Sequence, residues 1–291
     1  MEPAKVGAFT VEAVREVGSS IDPLSVFPDA TPERLAPHRH WLEPHFMTTE
    51  GRFRFVIRTY VIKTDRSVIL VDTCYGNHKE RSSIDAGGHR LRTGYLDELA
   101  GLGVAPDAVD FVFCTHLHPD HVGWNTRLVD GRWVPTFPNA QYLFGADDWS
   151  YFSEIAEGAY GYDSLQDSVI PIVEASQAVF YGHDHDLETG VVVAPSPGHT
   201  PGHSCLRLES AGQHALLIGD MMHHPVQCAE PTWEMAIGGQ TITMDVTTSA
   251  QSRRRYLEEL GAMNASVFAA HWDQPRAGRV RPEGHSWRLE L

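Results

Sequence analysis

Residues 115–121 read Thr115-His116-Leu117-His118-Pro119-Asp120-His121, directly after the apolar run Phe111-Val112-Phe113-Cys114. A short apolar run that breaks into polar residues is the pattern of a buried strand delivering a loop. Side chains on extended backbone alternate with period two, so His116 and His118 face one way while Leu117 turns into the core. Pro119 stiffens the turn that follows, and Asp120 and His121 then present toward a second position. Neutral imidazoles and carboxylates suit divalent metals, Zn²⁺ foremost, with Fe or Mn as alternatives. Three histidines and an aspartate clustered behind a buried strand point to a metal centre rather than to a polar surface turn.

Three later stretches have the same form. Val191-Val192-Val193-Ala194-Pro195-Ser196-Pro197-Gly198 leads to His199 on a tight Pro/Gly turn. Ala215-Leu216-Leu217-Ile218-Gly219 ends at Asp220, and Ser266-Val267-Phe268-Ala269-Ala270 ends at His271. Alone, His199 could be a satisfied loop histidine and Asp220 a turn residue. Together with the first motif they predict strand ends meeting at one rim around metal.

The remaining pattern predicts strands over 7–17, 53–63, 67–72, 110–115, 140–144, 191–196, 203–210, 214–220 and 266–270. Helices are expected over 91–101 and over 247–263, the latter with a Thr or Ser cap. Strands in both halves, separated by helices, imply two sheets packed together with helices outside. Residues 18–50 hold five prolines among His38, His40, Trp41, His45 and Phe46. That composition reads as an ordered N-terminal arm that covers the site or a dimer partner, within a single domain spanning 1–291.

Composition narrows the function. Lys and Arg number 23 against 38 Asp and Glu, a net charge of −15. Such a surface repels nucleic-acid phosphates. Arg253-Arg254-Arg255 reads as a solvated helix face, and His183-Asp184-His185 as a solvated turn. No run of about 18 apolar residues is present to span a membrane, and the start lacks a basic segment followed by an apolar one. Four scattered cysteines without a CxxC fit reduced thiols and a cytoplasmic location.

With THLHPDH at 115–121, PGHTPGH at 197–203, GD at 219–220 and AH at 270–271, the chain resembles the metallo-β-lactamase-fold hydrolase superfamily. The resemblance implies an α/β (α+β) fold, a four-layer αββα sandwich of two mixed β-sheets flanked by helices. It implies two divalent ions: one on His116, His118 and His199, the other on Asp120, His121 and His271, with Asp220 between them. Asp72, in Leu70-Val71-Asp72-Thr73, would stand behind the ligands and take a histidine N–H.

Within that superfamily, Asp220 argues against the lactam-cleaving branch and the acidic charge against nucleic-acid processing. The scattered Arg276, Arg279, Arg281 and Arg288 do not match a glutathione thioesterase, and His118 argues against flavin-linked diiron reductases. The pattern is nearest the N-acyl-homoserine lactonase and methyl parathion hydrolase-like branch. That resemblance implies a dinuclear hydrolase of a small-molecule lactone or carboxylic ester. Organophosphate triesterase or thioesterase activity, a mononuclear iron persulfide dioxygenase and a non-catalytic ligand-binding protein remain alternatives. Asp120 is the candidate proton carrier, and His223 is the candidate contact to substrate ahead of its neighbour His224. Trp124, Trp41, Phe46 and Trp233 are candidate pocket walls, Trp124 standing where the family usually has glycine. A homodimer is the expected assembly if there is one.

Overall fold

The computed structural model describes residues 1–81, 87–182 and 185–291; most of His183-Asp184-His185 therefore lies outside the described residues. Two seven-stranded sheets dominate. The first runs Ala4–Val6, Phe9–Ile21, Phe53–Lys63, Val68–Val71, Phe111–Phe113, Gln141–Gly145, Ala178–Tyr181. Phe53–Lys63 and Val68–Val71 pair antiparallel, as a hairpin at Asp65-Arg66 requires, and the last four strands are parallel. The second runs Asp186–Glu188, Val191–Pro195, Ser204–Ser210, Gln213–Leu217, Ser266–Phe268, Gly278–Glu283, Ser286–Glu290. Its one parallel pair joins Gln213–Leu217 to Ser266–Phe268. Parallel neighbours need a crossover, and the helix Val246–Met263 lies within it. Both sheets are therefore mixed.

That helix starts one residue earlier than expected, capped by Asp245 rather than Thr or Ser. The Asp245 carboxylate accepts the N–H groups of Thr247 and Thr248, each at 3.0 Å. An aspartate caps as well as a serine and adds a favourable charge at the helix start. The helix ends at Asn264 in the left-handed region.

The chain divides into two compact units, each made of separated segments. One comprises Met1–Gly7, Val17–Val56 and Asp186–Leu291; the other comprises Ala8–Glu16 and Ile57–His185. In the first, Leu216, Ile218, Leu257, Leu260 and Val267 form a core with Phe27, Leu42, Phe46, Met47, Trp233 and Trp272. Residues 18–50 thus send Val26, Phe27, Leu35, Leu42, Phe46 and Met47 into this unit's core, while most of the segment's other side chains are exposed or half-buried. Two of the segment's prolines start short helices: Pro23–Val26 is capped by Asp22 and Pro32–Leu35 by Thr31. A proline at the first helical position gives up an N–H that would have had no partner in the helix.

In the second unit, Val61, Leu70, Val112, Cys114, Tyr142 and Phe144 form the core, and Leu117 joins it as alternation demands. All four cysteines are buried, free thiols. Among the described residues no helix is long and apolar enough to cross a membrane.

Gly123 shows how tightly the loop after Val122 is set. Its N–H donates to the Cys74 carbonyl at 2.7 Å, and a Cβ there would lie 1.8 Å from the Tyr75 carbonyl oxygen. Backbone cannot yield as a side chain can. Gly123→Ala is expected to destabilise the fold by about 1–3 kcal/mol or more in denaturant unfolding. An alanine variant as stable as the parent would contradict this packing.

Candidate metal centre

In the second unit the parallel strands Val68–Val71 and Phe111–Phe113 end side by side, which sets Asp72 beside Thr115. Asp72 adopts a left-handed φ of 56° and donates its N–H to the Phe113 carbonyl at 2.9 Å. Its carboxylate accepts the Thr115 N–H at 2.8 Å and the Thr115 hydroxyl at 3.0 Å. It also lies 2.9 Å from His121 Nδ1. A carboxylate there keeps the proton on Nδ1 and turns the Nε2 lone pair outward. His121 Nε2 is 3.6 Å from Asp120 Oδ2. His116 Nε2 and His118 Nδ1 stand 2.9 Å apart, close enough to serve one cation. All three histidines are buried, while Asp120 is half-buried.

The first unit repeats the device. Gln213–Leu217 and Ser266–Phe268 end together, which brings Asp220 beside His271. His271 Nε2 lies 2.9 Å from Asp220 Oδ1, and its Nδ1 donates to the Val56 carbonyl at 3.0 Å, fixing the ring. His199 Nε2 and His223 Nε2 lie 3.5 and 3.3 Å from Asp220 Oδ2. Each carboxylate oxygen therefore faces imidazole nitrogen. His199 sits beyond Gly198, whose φ of +132° and approach to the Ser249 backbone leave no room for a Cβ.

Sequence reasoning kept His223 apart from the metal set, yet donor atoms of His199, Asp220 and His223 lie within 4.8 Å of one another. Among the described residues neither ring nitrogen of His223 finds a hydrogen-bond partner, although the ring is fully enclosed. His224 turns the other way. It stacks on Phe53 at 3.7 Å between centroids, its Nε2 donates to the Phe46 carbonyl at 3.0 Å, and burial lowers its pKa to about 3.

Three of the four rings expected to wall a pocket are core residues. Trp124 stacks on Tyr95 at 4.9 Å and donates its indole N–H to Glu16 at 2.6 Å. Phe46 and Trp233 are fully buried in the first unit's core, against which the half-buried Trp41 packs. Large rings find more area to bury in an interior than at a rim. Two aromatics that the sequence did not single out do lie against a candidate ligand: Tyr160 is 4.9 Å from the His118 ring and Phe152 is 5.7 Å from it. Nothing in their spacing from residue 118 signals this.

Buried imidazoles and carboxylates, with tautomers fixed from behind, fit divalent metal ions. In each unit, donors of this chemistry gather where parallel strands end, the placement of a candidate metal site. The chain belongs to the metallo-beta-lactamase superfamily, whose family model matches residues 52–263.

A probable metallo-hydrolase of Mycobacterium tuberculosis is 25% identical over 176 residues, 56% of this chain and 56% of that protein. The chain thus spans little more than half the length of that relative. An N-acyl homoserine lactonase of a Bacillus species is 24% identical over 235 residues, 77% of this chain and 84% of the lactonase. Among solved structures, the hydrolase AbOPH of the beta-lactamase superfamily superposes with a TM-score of 0.77 at 22% identity, covering 99% of this chain and 95% of its own. The dizinc quorum-quenching lactonase AidC, with its product bound, gives 0.76 at 19% identity over 99% and 96%. At these identities the structural likenesses establish the fold.

The burial of His224 has a consequence for acid stability. Its folded pKa of about 3 lies below the ordinary 6.5, so the unfolded chain takes up a proton that the folded chain refuses. Its contribution is intact above about pH 6.5 and is lost as pH falls from there toward about 3. His224→Gln is expected to flatten the dependence of unfolding free energy on pH across that window. An unchanged slope would contradict a neutral, buried His224.

Proposed function

We propose that the chain opens a lactone ring, that of an N-acyl homoserine lactone in the first instance, using two divalent ions, zinc foremost. His116, His118 and His199 hold one ion, Asp120, His121 and His271 hold the other, and Asp220 is shared. The observation that carries this reading is the buried Asp220 carboxylate, with His271 Nε2 at 2.9 and 3.1 Å from its two oxygens and His199 Nε2 at 3.5 Å from Oδ2. A buried carboxylate ringed by imidazoles on both oxygens suits a position shared by two ions. Family membership and the lactonases among the relatives support the substrate class.

Bound as a pair, such ions bring the pKa of a water from 15.7 toward ~7 and polarise a carbonyl oxygen. The chain's residues supply the rest. Asp120, half-buried, carries a proton to the departing alkoxide. His223 directs an N–H at the carbonyl oxygen as negative charge builds there. Asp72 holds His121 in the tautomer that leaves Nε2 to coordinate.

Metal quantification on the purified chain is expected to give two ions. A panel of short- and long-chain acyl homoserine lactones, aryl esters, thioesters and phosphotriesters should show lactones turned over fastest. Asp120→Asn, assayed with added Zn²⁺ so that both ions are restored, should lower kcat by ~10²–10⁴-fold, and His223→Phe by ~10²–10³-fold. One iron per chain, or two ions with no turnover of any lactone, would refute the reading.

A further inference from the structure

His203, four residues beyond His199, has no part in the chemistry above, yet it is fully buried directly behind Asp220. The Asp220 backbone N–H donates to His203 Nε2 at 3.0 Å. An amide N–H can only donate, so Nε2 carries the lone pair and Nδ1 carries the proton. His203 Nδ1 lies 2.8 Å from Ser196 Oγ and 3.2 Å from the Ser196 carbonyl, both acceptors for that proton. Ser196 Oγ is in turn 3.1 Å from Cys205 Sγ. Burial pushes the Cys205 thiol up to about 12, so it stays protonated and donates to the Ile218 carbonyl at 3.8 Å.

Every donor in this series points the same way round. The series leaves the chain at Asp220 and returns at Ile218, enclosing the one residue between them. That residue is Gly219, with a left-handed φ of 48°. The turn delivering Asp220 is thus closed by a directed ring of four hydrogen bonds, and rings of this kind strengthen cooperatively.

We propose that His203 is a positioning residue: through the Asp220 amide it sets the orientation of the Asp220 carboxylate, and so the affinity of the metal pair. This rests on the dinuclear reading. A group that orients a ligand from behind is worth ~10–100-fold in metal affinity. His203→Leu keeps the bulk and removes the acceptor. His203→Gln restores an acceptor for the amide and a donor for Ser196. Ser196→Ala breaks the ring but leaves the Ser196 carbonyl to hold His203.

The test is chelator competition for Zn²⁺, the absorption spectrum of the Co²⁺-loaded protein and hydrogen exchange at the Asp220 amide, on full-length parent and variants. His203→Leu should bind its more weakly held ion ~10–100-fold less tightly, shift the cobalt spectrum and expose the Asp220 amide. His203→Gln should recover most of each effect, and Ser196→Ala should show a smaller one. Parent affinity, spectrum and exchange in His203→Leu would overturn the proposal. If that variant does not fold, Ser196→Ala decides: a shifted spectrum and faster Asp220 exchange support it, and values identical to the parent overturn it. If the parent binds no ion, the dinuclear reading fails separately, and Asp220 exchange still decides whether His203 holds the turn.

Discussion

In each sheet two parallel strands end side by side, and a carboxylate following one of them reaches the residues that follow the other. Asp72 does this for Thr115 and His121; Asp220 does it for His271. The carboxyl ends of parallel strands are where such sheets gather ligands, because adjacent chains leave the ladder at the same level with backbone still to be satisfied. Most of the candidate ligands depend on those two pairs of strand ends; His199 arrives separately, after the antiparallel strand Val191–Pro195. The His-x-His-x-Asp-His loop has its shape because Asp72 ties down the Thr115 amide just ahead of it and its last imidazole.

Burying this many polar groups is unfavourable unless each has a counterpart. Apart from His223, the site meets much of that demand by layering. Asp220 faces imidazoles at its carboxylate and another at its amide, His121 leans on Asp72, and His271 leans on the Val56 carbonyl. The fixed tautomers that satisfy hydrogen bonding in the folded chain are also those that leave Nε2 lone pairs available to a cation. Stability and ligand geometry thus come from the same contacts, and the cooperative ring behind Gly219 extends this outward by one further layer.

The sequence made the strand ends legible because two signals coincide there: an apolar run and a break into His or Asp. The direction of Leu117 followed from alternation alone. What stayed hidden depended on three-dimensional neighbours. No local pattern distinguishes His223, which faces a carboxylate, from His224, which faces three phenylalanines. Trp124 looked like a pocket wall because it follows a metal loop, but its indole N–H has a half-buried acceptor in Glu16, far upstream. Residues 18–50 looked like an arm because prolines interrupt them, although two of those prolines, Pro23 and Pro32, begin capped helices. The ribbon Thr126–Val129 and Arg132–Pro135 did carry a local signal: Asp130-Gly131, both at positive φ, is a favoured hairpin turn.

The central claim is that two cations share Asp220. Anomalous diffraction from crystals of the chain, measured across the zinc absorption edge, addresses it directly. Two peaks are expected, one on each side of the Asp220 carboxylate, with His199 on the first and His271 on the second. No peak in contact with Asp220, or one ion bound to a single oxygen of it, would contradict the account.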